Sequence, residues 1–148
     1  MVYRPLGATG LTVSEVGLGC EHLENKPLEQ IQSVLDEAFN QGVNIMDVFM
    51  SQPQVRMDIG KALKGRRDRM LIQGHIGAGW VGGQYGRVRE PAQYEKFFGD
   101  LLSFLQTDWI DIGGLHYVDT SGDMDRVLAG GMLDYAVRLK QAGVIRAV

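Results

Sequence analysis

Three side chains in the sequence have types and positions suited to moving a proton: Asp47, His75 and His116. Each ends a run that reads as a strand, so a parallel sheet would gather all three along one rim. An imidazole titrates near ~6.5 and can act as a general acid, and a neighbouring carboxylate favours its protonated form. Strands adjacent in a parallel sheet lie about 4.8 Å apart, so Asp47 and His75 approach each other if their strands are neighbours and both side chains point inward. His116 could then give a hydrogen bond to a charge developing on a substrate oxygen. Against this stands a plainer reading, because a lone histidine at a strand end more often serves as a hydrogen-bonded structural residue.

Other reactive groups lead less far. Cys20 is the single cysteine, so it can form neither an intramolecular disulfide nor a thiolate metal site, and it reads as a small buried hydrophobe. His22, beside Glu21 and Glu24, reads as a solvated loop residue, and with Cys20 it makes too small a ligand set for a metal. The stretch from Gly77 to Gly82 fits G-x-G-x-x-G after a strand, the dinucleotide fingerprint. No helix starts at Gly82, however, and Gly83-Gln84-Tyr85-Gly86 continues the loop. The favoured reading is a mobile substrate-side loop with Trp80 and Tyr85 as its walls.

The elements that must position these groups alternate. Residues 2 to 13 read as a β-hairpin around a glycine-rich turn, followed by a buried run from 15 to 20. Apolar residues Leu28, Ile31, Val34, Leu35, Ala38 and Phe39 recur at helical spacing between 27 and 41, with Gly42 just past the end. Further helices are predicted over 53–63, 91–105 and 124–142, the last open to a break at Gly130-Gly131. Strands are predicted over 43–49, 70–76 and 109–116, and another begins at 144. This alternation means βαβ units and a parallel sheet. A doubly wound open sheet and a (β/α)₈ barrel both satisfy it, and four and a half units in a chain this short favour the open sheet on physical grounds alone.

Composition narrows the function classes. The 148 residues fit one domain, 1–148, and 45% apolar with 22% charged side chains is ordinary for a globular protein. A net charge of −3 carries no basic field, so neither nucleic acid nor a membrane is an expected partner. No apolar run approaches the roughly 18 residues a membrane helix needs. The lone cysteine and the lack of a signal-peptide core point to a reducing compartment, the cytoplasm.

Three segments together resemble the aldo-keto reductase family: Tyr3-Arg4-Pro5-Leu6-Gly7-Ala8-Thr9-Gly10-Leu11-Thr12-Val13-Ser14 with Gly17-Leu18-Gly19, the strand Gly42-Val43-Asn44-Ile45-Met46-Asp47, and Trp109-Ile110-Asp111-Ile112 leading to His116. The resemblance implies the N-terminal half of a TIM-type (β/α) barrel, with the hairpin plugging its bottom and the chemistry at the strands' carboxyl ends. It implies reduction of a small carbonyl compound by NADPH, or by NADH, with Gly19, Cys20 and Asp47 near the nicotinamide. The family's aspartate falls on Asp47 and its histidine on His116. Its proton-donating tyrosine falls on Gln52 and its lysine on His75, so an ordinary tetrad is absent, and His75 becomes the candidate acid. Gln52 and Trp80 are expected beside the substrate.

The wording around Asp47 and His75 resembles a divergent branch that often carries a C-terminal ferredoxin-like domain. No cysteine-rich region follows here, so neither a metal nor an iron–sulfur cluster is expected. Half a barrel would leave inward side chains such as Val43, Ile45, Leu71 and Ile112 uncovered. A homo-oligomer or a complementary half-barrel chain is therefore the expected partner, and a non-catalytic half-barrel acting by association is the alternative function.

Overall fold

In the computed structural model, which describes residues 1–148, the chain opens with strands β1 (Tyr3–Pro5) and β2 (Thr12–Ser14), paired antiparallel with Tyr3 opposite Ser14. Ser14 and Asn44 tie this hairpin to the sheet: the Ser14 N–H donates to Asn44 Oδ1 at 2.7 Å, and the Asn44 N–H donates to Ser14 Oγ at 3.1 Å. Strand β3 (Leu18–Gly19) and a 3₁₀ turn at Glu21–Leu23 lead into helix α1 (Leu28–Asn40). Its buried residues Ile31, Leu35 and Ala38 repeat at i, i+4 and i+7, and the helix stops where Gly42 takes φ 79.

Strand β4 (Ile45–Val48) carries Asp47, helix α2 (Pro53–Ala62) follows, and β5 (Leu71–Ile76) carries His75. The stretch after β5 is a second antiparallel hairpin, β6 (Ala78–Val81) and β7 (Gln84–Arg87), which corrects the expectation of an open glycine loop. Gly82 and Gly83 both have positive φ, 59° and 80°, the requirement of a two-residue turn matched to strand twist. Their role is the turn, so the fingerprint match carries no phosphate loop. Helix α3 (Pro91–Leu105) precedes β8 (Ile110–Leu115). The expected last helix is two, α4 (Ser121–Ala129) and α5 (Met132–Gln141), broken by Gly131 at φ 72. The first of them starts three residues before the 124 expected from the apolar spacing, because Thr120 and Asp123 form a reciprocal capping box. Strand β9 (Ile145–Ala147) closes the described chain.

The five parallel strands lie in the order β3-β4-β5-β8-β9. That order follows the sequence without reversal, so the sheet has no switch point: it is the half barrel that the resemblance implies, not the doubly wound sheet that chain length alone favoured. Five strands do not close, and β3 and β9 are its edges. One face packs on the helices: Met46, Val48, Ile72 and Ile76 are buried with Ile31, Leu35, Ile59, Phe98 and Leu101 in a single core. The helices also meet tightly. A Cβ at Gly60 would lie 2.7 Å from the backbone of Leu105, so only glycine admits that approach of α2 to the end of α3. On the inner face, register aligns Ile45 with Leu71 and Asp47 with Gln73, and these residues, with Val43 and Ile112, are half-buried.

Candidate functional site

The parallel register sets the site. Asp47 is the third residue of β4 and His75 the fifth of β5, both on the inner face, and His75 Nε2 lies 2.6 Å from Asp47 Oδ1. The carboxylate side chain is 38% exposed and the imidazole 10%, so the pair sits at a boundary with solvent. With Nε2 committed to Asp47, Nδ1 is the nitrogen left for other chemistry. It faces Gly114 of β8, where a Cβ would lie in ordinary contact with it at 3.7 Å.

His116 follows β8, and its ring stands edge-on to that of His75 at 4.4 Å between centroids. Burial, with the charge of His75 second, pulls its pKa from the ordinary 6.5 down to about 4, against the opposing pull of Asp47 and Asp119. His116 is therefore a neutral imidazole at pH 7, able to donate from one nitrogen and accept at the other.

Its backbone is fixed on two sides. The His116 N–H donates to the Ile76 carbonyl oxygen at 2.9 Å, and Arg89 Nη2 donates to the carbonyl oxygens of His116 and Tyr117 at 3.1 and 2.7 Å. Tyr117 takes φ 59, a left-handed conformation that the Arg89 clamp helps to hold. Arg87 adds bonds to Asp123 at 2.8 Å and Asp119 at 3.0 Å, lashing the hairpin to the segment after β8. Hydrogen bonds from Arg126 and Thr120 hold the Asp123 carboxyl well below the usual carboxylate range, which keeps it charged for this role. Sequence reading missed Arg87 and Arg89. Their signal was two arginines two apart, one ending β7 and one just past it, uninterpretable while that strand was read as a loop.

Aromatic rings roof the cluster. Phe49 lies edge-on to His75 and Tyr85, at 6.3 and 5.4 Å, and Tyr85 packs against His116 and Tyr117 at 5.6 and 5.7 Å. Of the two expected walls, Tyr85 joins the histidines and Trp80 does not. Trp80 instead lines a separate cavity with Ser51, Arg56 and Phe97. Gln52 also turns elsewhere, its amide donating to Asn25 Oδ1 at 3.1 Å. Cys20 is fully buried, and burial, then Asp47, raises its thiol to about 12; it lines neither the cleft beside Asp47 nor any other cavity, which corrects its expected place beside the nicotinamide. His22 lies exposed in the 3₁₀ turn, and no group of three or more His, Cys, Asp or Glu side chains is arranged to hold a metal ion.

A cleft of about 220 Å³ opens on the inner face beside the pair, lined by Gly17, Leu18, Gly19, Ile45, Met46, Asp47 and Gln73. Its small and apolar walls would accept a flat ring, and Asp47 and Gln73 offer a hydrogen-bond acceptor and an amide at its edge. Gly19 and Asp47, expected near a nicotinamide, both line it. Deeper in the sheet, Asp111 is a structural charge: fully buried, it accepts from the Ile72 N–H at 2.9 Å, Arg146 Nη1 at 3.0 Å and Arg67 Nη2 at 3.2 Å.

Comparison with known proteins gives a consistent picture. No family model matches the chain. An uncharacterized oxidoreductase of Bacillus subtilis, YqkF, is 33% identical over 97% of this chain and 46% of its own length. Among solved structures, the holo form of the aldo-keto reductase AKR11C1 from Bacillus halodurans superposes with a TM-score of 0.79 at 31% identity, over 99% of this chain and 48% of that one. A Pseudomonas aeruginosa protein provisionally named an aldo-keto reductase reaches 0.85 at 27% identity, over 98% of this chain and 57% of that one. The chain spans about half the length of these relatives. No helix is long and apolar enough to cross a membrane.

Proposed function

From the premise that the chain carries the N-terminal half of an aldo-keto reductase barrel, we propose that it supplies the substrate-side rim of an oxidoreductase that reduces a small carbonyl compound with a nicotinamide cofactor, NADPH in preference to NADH. The observation that carries this reading is the cluster of Asp47, His75 and His116 at the carboxyl ends of three neighbouring strands. In it, His75 in its protonated form gives the Nδ1 proton to the carbonyl oxygen as that oxygen becomes an alkoxide. Asp47 accepts from Nε2 and stabilises the charged ring, and neutral His116 donates a hydrogen bond to the same oxygen. When bound, the cofactor would supply the hydride that completes the alcohol. Gly19, Asp47 and Gln73 would hold its nicotinamide in the inner-face cleft, and the aromatic roof of Phe49 and Tyr85 would exclude water.

A second reading rests on Gln52. The position that resembles the family's proton donor holds an amide bonded to Asn25, with no titrating proton, while half-buried apolar side chains line an unclosed sheet. A half-barrel acting by association, with its own copy or with a complementary half, accounts for both facts.

Titration of NADPH fluorescence with the purified chain, followed by turnover of a small aldehyde, separates these readings. The enzyme reading expects saturable NADPH binding and slow reduction that falls about 10²-fold in His75→Gln, the lower end of what a general acid contributes. Absence of NADPH binding, or turnover unchanged by His75→Gln, overturns it and leaves association as the function.

A further inference from the structure

The cavity that takes Trp80 lies between α2, α3 and the β6–β7 hairpin, holds about 230 Å³, and shares no lining residue with the cleft beside Asp47. It contains a guanidinium in an unusual position. Arg56 is 2% exposed, donates from Nε to the Met50 carbonyl oxygen at 2.8 Å, and has no carboxylate paired with it. The one acid lining the cavity, Asp100, is bound to Lys96 Nζ at 2.5 Å. Two cations thus face one carboxylate in a confined space.

Two hydroxyls add to the imbalance. Ser51 is 2% exposed and lines the cavity, and its Oγ is buried with no hydrogen-bond partner. The Tyr85 hydroxyl, within electrostatic reach of Arg56, is likewise buried and unpartnered. A native protein rarely leaves such buried donors unmet, because each loses its bonds to water and gains none in return. Ser51 and Pro53 also set the N-terminus of α2 at the cavity, and Gln52 gives that helix no capping bond. The unmet N–H groups of a helix's first turn and the positive end of its dipole favour an anion beside it. The lack of a counter-ion is felt by Arg56 itself, which burial pulls from 12.5 down to about 10. The features that line the cavity, the unpaired Arg56, the unpartnered Ser51 hydroxyl and the uncapped α2 N-terminus, are relieved by one kind of occupant, an oxygen-rich anion.

We propose that this cavity binds a small oxyanion, a carboxylate or phosphate group, on Arg56, Ser51 and Lys96, with Trp80 and Phe97 against the rest of the ligand. Arg56 supplies paired N–H donors suited to two anion oxygens, and the Ser51 hydroxyl adds a third. The cavity is too small for a dinucleotide, which limits the ligand to a single headgroup with a ring or short chain.

The full chain carrying Trp109→Phe leaves Trp80 as its only tryptophan and hence as a reporter inside the cavity. Sodium phosphate and sodium benzoate are titrated separately against sodium chloride at matched ionic strength, into the tens of millimolar, while Trp80 emission is followed. The expected result is a saturable change with at least one probe, abolished in Arg56→Gln and weakened about 3- to 10-fold in Ser51→Ala. Because Arg56 is buried and its replacement could unfold the chain, the small Ser51→Ala change decides the matter, with far-UV circular dichroism verifying the fold. Saturation by phosphate alone assigns a phosphate-bearing ligand, and saturation by benzoate alone assigns an organic acid. No response beyond that of chloride, or an affinity unaltered by Ser51→Ala, overturns the proposal.

Discussion

Acidification should weaken the fold through His116, and the structure gives the size. Its pKa is lowered to about 4 in the folded chain, against about 6.5 when unfolded. A lowered folded value means that the unfolded chain takes up the proton first, so the folded state loses ground as pH falls from about 6.5 to about 4 and no further below that. Taken at face value, 2.5 pH units at about 1.4 kcal/mol each give about 3.4 kcal/mol in all, of which about 1.8 would be lost between pH 7 and pH 5. The ring is only half-buried, and solvent screening reduces that to about 1 kcal/mol at pH 5. The assay is the urea midpoint of the wild type and of His116→Gln at both pH values. His22 and His75 are present in both proteins, so the difference between their pH responses isolates His116 and its coupling to the neighbouring ring. His116→Gln should lose about 1 kcal/mol less than wild type on going to pH 5. Equal losses, or a His116 ring proton that titrates by NMR near pH 6.5, would refute the burial argument and with it the neutral donor assigned to the rim.

Gly60→Ala should destabilise by about 1–3 kcal/mol in thermal or urea unfolding, since a Cβ there meets the Leu105 backbone at 2.7 Å, and the ~1 kcal/mol of helix propensity gained cannot offset the forced separation of α2 from α3; an unchanged midpoint would show that the helices move apart freely. Asp111→Asn should cost about 2–4 kcal/mol, because it leaves Arg67 and Arg146 without their buried carboxylate while keeping the volume; a loss under ~0.5 kcal/mol would assign the pair to the solvated class. The purified chain should elute and scatter light above the mass of one copy at micromolar concentration, because the inner face and the β3 and β9 edges are uncovered, and a monodisperse 16.4 kDa particle would contradict this.

The periodic parts of the fold were legible. Leu28 to Phe39 announce α1, and Pro53 and Pro91 mark the starts of α2 and α3 within a residue, because a proline at N1 and an apolar stripe are local signals. Strand order was not local. Residues 45–48 and 71–76 look alike in a barrel and in a doubly wound sheet, and only the sequential pairing of β3 through β9 separates the two. The hairpin at 78–87 was hidden for a different reason: Gly79, Gly82, Gly83 and Gly86 read as flexibility, whereas Gly82 and Gly83 make the turn and Gly79 makes room for Phe97. The meeting of Asp47 with His75 was foreseeable from strand spacing once the family resemblance made their strands neighbours and turned both side chains inward.

What spacing could not reveal is how the third member reaches them. His116 stands beyond the last residue of β8, where no ladder fixes its direction, and its ring is aimed by tertiary contacts from the second hairpin. Arg89 holds the His116 and Tyr117 carbonyls, Arg87 ties the same hairpin to Asp119 and Asp123, and Tyr85 lays its ring against the imidazole. The rim therefore has two sources of order: strand register places Asp47 and His75, and an arginine-clamped hairpin places His116. The first survives any change that leaves the core intact. The second depends on three side chains within the five residues from Tyr85 to Arg89, so substitutions at Arg87 or Arg89 should disturb His116 while leaving the Asp47–His75 pair in place.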